Sequence, residues 1–344
     1  MQMDGYLLGP GPEGRCDDYR VCGAVVDHDP ISGLWRMWYY CRDRAFDRAA
    51  PQTLGSGRVA LATSTDGIAW TRVDGQAGLG AVMGPSGVAG TFDSIHVGLT
   101  DITRGAGEWL MWYFGGDAAP VDTGSHLGVV KGVGLRPGLA RSVDGVTWER
   151  VPGGAANGAL IEIDDGDVYA AWPNVFNDGS RLILQYTAPR YGLKDYRTRT
   201  AVSHDGRTWE KLGVMSWADG DRRWDCTGVI TRQVLANPLA QGPRWLMIYT
   251  GTDEDHRRSI AAAGSDDGLS WRHLHDAPIF TVGPSGAWDS LGVAAGRLVA
   301  ANGRLHLYYY GFQSLADDDN PRAIGLAISE SGALEDFVRW RSAP

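Results

Sequence analysis

One seven-residue phrase returns along the chain: Ser64-Thr65-Asp66-Gly67-Ile68-Ala69-Trp70, then Ser142 to Trp148, Ser203 to Trp209 and Ser265 to Trp271, each with Ser first, Asp-Gly in the middle and Trp last. Each copy joins an apolar run, Val59-Ala60-Leu61-Ala62 in the first, to a short alternating one, Trp70-Thr71-Arg72-Val73. Asp followed by Gly supplies the positive torsions of a tight turn. The Ser and Asp side chains can bond the turn's own amides, and Trp anchors the returning strand. Each phrase therefore predicts a β-hairpin. A looser fifth copy, Ser329-Glu330-Ser331-Gly332 with Trp340, stands near the end. Repetition at this period restricts the chain to an array of small sheets.

A second element recurs in step with the first. An acid precedes the first apolar strand of each unit: Asp17, Asp93, Asp167, Asp225 and Asp289, successively 76, 74, 58 and 64 residues apart. After it come a strand of Val and small residues, a turn such as Asn177-Asp178-Gly179, and a strand dense in aromatics such as Trp35-Arg36-Met37-Trp38-Tyr39-Tyr40. A loop leads to the third strand, the Asp-Gly hairpin and the fourth strand with its Trp. Four antiparallel strands repeated five times predict an all-β fold, a five-bladed β-propeller, with residues 1–344 as a single domain. A two-sheet sandwich would not demand the same four-strand unit five times. The 48 glycines suit so many turns.

Strand alternation then sorts the loops. The Asp-Gly and Asn-Gly turns share one face of the disc. The opposite face collects the acids that lead into the strands and the long loops Arg42 to Phe46, Asp117 to Gly134, Arg190 to Asp195 and Asp253 to His256. Long loops on a compact scaffold are usually functional, so the site is expected at the funnel mouth there. His28-Asp29-Pro30 falls on the other face and reads as a structural turn.

A net charge of -9 without clustered Lys and Arg argues against nucleic acid or an anionic membrane as partner. No apolar run reaches membrane-spanning length. The N-terminus lacks the basic-then-apolar order of a secretory signal, so the expected location is cytoplasmic. Cys16, Cys22, Cys41 and Cys226 lack zinc-type spacing and read as reduced thiols. Oligomeric state leaves no trace in the sequence.

Five blades with acids leading into the innermost strands, at Asp93-Ser94, Asp225-Cys226 and Asp289-Ser290, resemble the glycoside hydrolases of families 43, 32, 62 and 68. That resemblance implies paired carboxylates in the axial funnel, one protonating the leaving oxygen while the other attacks or activates water. Carried over, it implies Asp17 or Asp18 as nucleophile or base, Asp93 as its orienting partner, and an acid from Glu162, Asp165 or Asp167. The strand position expected for the acid holds Ala171-Trp172-Pro173-Asn174 instead. Some relatives hold an axial calcium, but no calcium loop is present here, and no cofactor is expected.

An acid repeated in every unit is also what a cap at the start of a strand looks like, and this reading leads for Asp225 and Asp289, which also count among the expected substrate-binding residues. Residues that differ between units are more telling. Arg20 and Cys22 in the first, His96 and Asp101 in the second, Tyr169, Trp172 and Asn174 in the third and Arg232 in the fourth would converge near the axis, with Arg190 on a rim loop. These are the expected substrate-binding groups for a hydroxylated or carboxylated small molecule. Three functions follow: a glycosidase with paired carboxylates, a repurposed propeller enzyme working through Arg20, His96 and Arg232, or a carbohydrate-binding propeller without catalysis.

Overall fold

A computed structural model describes residues 3–45, 51–105, 107–239, 241–314 and 322–341, the Lys194 side chain apart. Phe46, the end of the first long loop expected on the functional face, lies outside the described residues. Each of the four phrases folds as one motif. The Ser64 hydroxyl accepts the Gly67 amide at 2.9 Å, and Asp66 accepts the amides of Ile68 and Ala69 at 2.8 Å. Ser142 with Asp144, Ser203 with Asp205 and Ser265 with Asp267 repeat the arrangement. Gly67 has φ of 74°, which explains the fixed glycine. The turn carbonyls also tie neighbouring sheets: Trp38 donates to Gly145 at 2.7 Å and Tyr308 to Gly67 at 2.9 Å. Asp29 caps its own turn by accepting the Ile31 amide and the Ser32 hydroxyl.

After β1 (Tyr6–Leu8), the first antiparallel run comprises β2 (Arg20–His28), β3 (Trp35–Arg42), β5 (Arg58–Ser64) and β6 (Thr71–Val73), with short β4 (Gln52–Thr53) outside it. The second is β7 (His96–Arg104), β8 (Trp109–Gly116), β11 (Arg136–Ser142) and β12 (Glu149–Val151), with β9 (Pro120–Asp122) and β10 (Val129–Lys131) inserted in its middle loop. The third is β13 (Ala171–Asn177), β14 (Leu182–Arg190), β15 (Lys194–Ser203) and β16 (Glu210–Val214). Then β17 (Ser216–Trp217) lies parallel to the last strand of the fourth run: β18 (Gly228–Ala236), β19 (Trp245–Thr252), β20 (Arg258–Ser265) and β21 (Ser270–His273). The fifth is β22 (Gly292–Ala301), β23 (Arg304–Phe312), β24 (Ala323–Ser329) and β25 (Val338–Arg339). β1 pairs antiparallel with β24 alongside β25, so the opening and closing strands share one edge.

The first strands touch in cyclic order, β2 on β7, β7 on β13, β13 on β18, β18 on β22 and β22 on β2. Apolar layers fill the spaces between successive sheets. Trp38, Val59 and Leu61 meet Leu99, Met111 and Tyr113, while Trp35, Met37 and Tyr39 meet Tyr308, Ile324 and Leu326. Trp35, Trp38, Trp112 and Trp271 are among the fully buried side chains; truncating one would cost about 3–5 kcal/mol. The protein is thus all-β, built of several sheets, with the third and fourth runs joined by a parallel bridge between Tyr196 and Gly228. Among the described residues no helix is long and apolar enough to cross a membrane.

Two features position the site. Every first strand carries a register shift, between Cys22 and Val25, Leu99 and Asp101, Ala171 and Asn174, Val229 and Thr231, and Ala294 and Arg297. A bulge of this kind re-aims the residues inside it. Secondly, β4, β10 and β9 form a small three-stranded sheet from the long loops of the first two runs. It belongs to none of the repeated sheets.

Candidate functional site

A cavity of about 300 Å³ opens where the bulges converge. Gly23, Ala24, Thr100, Trp172, Ile230, Ala295 and Gly296, all from the shifted segments, line it. Trp172 and Ala295 each hold φ of 51°, a left-handed backbone costly for residues with a Cβ.

The lining is chemically one-sided. Arg20, Arg42, Arg232, Arg258, Arg297 and Arg322 face the cavity, and no aspartate or glutamate is among the described lining residues. Burial, and then the charges of Arg322 and Arg42, hold the Arg20 guanidinium below its usual range. Burial pushes Arg232 down to about 9, which leaves it cationic at neutral pH. Arg232 donates to the Trp172 carbonyl and the Thr187 hydroxyl. Among the described residues, Arg232 Nε, Arg297 Nη1 and Thr100 Oγ1 have no hydrogen-bond partner though buried. Buried donors of this kind await an acceptor. Tyrosines flank the cations: Arg42 donates to the Tyr40 hydroxyl, Arg258 to the Tyr310 hydroxyl at 3.2 Å, and Arg322 lies over the Tyr310 ring.

His96 sits beside this group. Its Nδ1 meets the Leu54 carbonyl, which can only accept, so the proton is on Nδ1 and Nε2 offers a lone pair 3.4 Å from the Tyr40 hydroxyl. Burial, reinforced by Arg42, pushes His96 down to about 3, so it is neutral. A neutral imidazole next to a phenol and a guanidinium can accept a hydrogen bond from a bound molecule at Nε2.

Beneath the cavity the axis is closed by polar stitching. Asp101 accepts from Arg297 and from Asn174 at 2.6 Å, and Asn174 accepts the Val234 amide at 3.0 Å. A guanidinium therefore occupies Asp101, a carboxylate at the axis. Among the described residues no group of three His, Cys, Asp or Glu has the placement to hold a metal ion.

Of the substrate-binding residues expected from sequence, Arg20, His96, Tyr169, Trp172 and Arg232 line the cavity; Asn174 lies in the stitching and Arg190 is exposed on the outside. The expected carboxylates do not line it. Asp17 accepts from Tyr39 at 2.8 Å and Arg72 at 2.6 Å, and Asp93 from Tyr113 at 2.9 Å and Arg150 at 2.6 Å. Asp225 takes Tyr249 at 2.7 Å and His273 at 2.8 Å, while Asp289 takes Tyr309 at 2.9 Å and Arg339 at 2.8 Å. Asp167 pairs with Arg199 at 2.7 Å. In four of the five runs the recurring acid is a clamp between the second strand's tyrosine and a basic side chain of the fourth strand. Asp18 accepts the Gly14 and Arg44 amides at 2.9 and 3.0 Å. Glu162 accepts the Ala156 amide from an exposed position, and Asp165 is exposed.

Sequence reasoning missed Arg42, Tyr40, Arg258, Arg297, Tyr310 and Arg322. Arg42 and Arg258 stand where the second and third strands meet the long-loop face, a positional signal present in the sequence. The clamps had one too, in the basic residue two places after the hairpin Trp: Arg72, Arg150 and His273, with Lys211 at the equivalent position of the third run. Cys22 lines the cavity, Cys16 and Cys41 are buried, and Cys226 is exposed.

No protein-family model matches the chain. The uncharacterized protein Rv1502 of Mycobacterium tuberculosis is 31% identical over 144 residues, 40% of this chain and 44% of that protein. The match therefore spans less than half the length of that relative. Solved structures match over nearly the whole chain. A structure of a BT0996 complex with RGII has a TM-score of 0.67 at 20% identity, covering 99% of this chain and 93% of that one. One from the GH130 family of mannoside phosphorylases and glycoside hydrolases has 0.62 at 15%, covering 95% and 92%. Sucrose-6-phosphate hydrolase of Lactobacillus gasseri has 0.62 at 12%, covering 96% of this chain and 62% of that one. The chain shares the propeller-type fold of these proteins and resembles the propeller glycoside hydrolases.

Proposed function

We propose that this protein is a sugar-acting enzyme whose cavity takes a small anionic substrate, a phosphorylated or carboxylated sugar or sugar derivative. The carrying observation is the lining: six guanidiniums, His96 and tyrosines, with no carboxylate among the described lining residues. Glycoside cleavage by two carboxyls needs them about 5–9 Å apart across the scissile bond. The candidates for that pair are engaged in clamps and turns instead. A cationic, partly enclosed site lowers the free energy of a bound anion and steers it inward. The propeller-type fold, shared with enzymes named for glycosides and for sucrose 6-phosphate, supports a sugar-derived substrate.

In the same reading, the five runs are five blades of a single propeller domain spanning residues 1–344, its last sheet completed by β1. The guanidiniums of Arg20, Arg42 and Arg322 hold the anionic group. His96 Nε2 and the Tyr40 hydroxyl orient the bound molecule by hydrogen bonds.

Calorimetry with glucose 6-phosphate, fructose 6-phosphate and glucuronate against glucose, with turnover of the same compounds and of aryl glycosides, tests the reading. Anions bind and glucose does not, and Arg42→Gln weakens anion binding. Turnover of neutral aryl glycosides that survives Arg42→Gln and disappears in Asp93→Asn would restore the paired-carboxylate mechanism. Binding of neutral sugar with no turnover would make this a lectin-like propeller.

A further inference from the structure

The cavity lining is part cationic and part apolar. Arg20, Arg42, Arg258 and Arg322 come from the first, fourth and fifth runs. The apolar part is a single cluster uniting Phe114, Val130, Val133, Leu135 and Tyr169 with Leu54, Leu127, Trp172 and Leu193 packed against it. Much of that surface hangs from the inserted β4–β10–β9 sheet and its flanking loops, packed against Phe114 of β8. Val130, 1% exposed, turns inward to the cavity while its neighbour Val129 is 46% exposed, so the insertion presents its apolar face to the cavity. A free sugar phosphate is hydroxylated all round. It would leave Leu127, Val130, Val133 and Leu135 facing polar groups that gain nothing from them.

We propose that the ligand is an amphipathic anion: an anionic head against the arginines and an apolar body, aliphatic or aromatic, against the inserted sheet. This rests on the anionic reading above and adds the apolar half. Polar sugar atoms then sit between the two poles, near His96, Tyr40 and Gln52.

Calorimetry on the full chain with hexyl phosphate, heptanoate, inorganic phosphate and hexyl β-glucoside tests it. Hexyl phosphate or heptanoate binds at least tenfold more tightly than inorganic phosphate, a gain that burial of a few methylenes supplies, and at least tenfold more tightly than hexyl glucoside, a gain that the anionic head supplies. The tighter of the two hexyl-length anions identifies the head as phosphate or carboxylate. Leu127→Gln, at a partly exposed position, and the neutral Val130→Thr bring hexyl phosphate to within about twofold of inorganic phosphate while the latter is unchanged. A melting curve accompanies each variant; should Val130→Thr fail to fold, Leu127→Gln decides. Equal affinity for hexyl and inorganic phosphate in the native protein overturns the apolar half and leaves the anionic reading intact. Failure of every anion to bind a cooperatively folded sample removes both, and preference for the neutral glucoside does the same.

Discussion

Each sheet has two ends that obey different rules. At the hairpin end, four turns share one hydrogen-bond pattern, with Ser and Asp holding the backbone and glycine at positive φ. At the cavity end, no two bulges carry the same residues: Gly23-Ala24, Thr100, Trp172-Pro173, Ile230, Ala295-Gly296. The recurring acids stand close to the variable end yet follow the invariant rule. Repetition marks what every sheet needs to stand, and departure from it marks what the molecule as a whole does.

The sharpest way to break this comparison is to remove one of those acids. Asp93, 1% exposed, is held by Tyr113 and Arg150, so Asp93→Ala leaves a guanidinium and a buried phenol unpaired and costs about 3 kcal/mol in urea unfolding. Its folded fraction should bind anions as the parent does. Loss of binding in that fraction would move Asp93 into the site.

At the variable end the expectation reverses. Arg258→Gln removes a cation from the cavity together with its hydrogen bond to Tyr310, so the affinity for glucose 6-phosphate falls about tenfold while the melting temperature drops only slightly. A smaller effect concerns strain. Ala295→Gly relieves a left-handed alanine and should raise stability by about 1 kcal/mol in thermal melts. No gain would mean that the surrounding bulge has no strain to release.

The smallest effect comes from the one clamp built differently. Where three other runs place arginine, the fourth has His273, with Nε2 2.8 Å from Asp225 and Nδ1 3.0 Å from Asp219. Burial alone would lower its pKa, but hydrogen bonds to the two carboxylates outweigh it and hold it above the usual 6.5. A group raised on folding contributes stability that is complete below about pH 6.5 and is lost as pH rises through the folded-state value. Urea midpoints should therefore decline across that window, and His273→Arg should flatten the decline. An unchanged slope would assign the pH dependence elsewhere.

The hairpins, the aromatic second strands and the five-unit period were legible because each is a local pattern whose physics closes within a dozen residues. Arg20, His96, Tyr169, Trp172 and Arg232 were legible for the opposite reason: they break the period. The bulges were not, since a one- or two-residue register shift depends on how two strands meet and leaves the composition of each unchanged. Nor was the arginine side of the cavity, because Arg42, Arg258 and Arg322 lie far apart in sequence and become neighbours only when the first strands come full circle. The expectation of paired acids took the direction of the recurring carboxylates from the resemblance. Tyr39, Tyr113, Tyr249 and Tyr309 turn those carboxylates back into their own sheets.

The pairing of β1 with β24 makes the final sheet a joint product of residues more than three hundred positions apart. Held by hydrogen bonds and packing, that seam works like an overlap joint: fraying of β1 would bare the edge of β24, and Arg322, the residue just before β24, would lose part of the support that fixes its approach to the cavity.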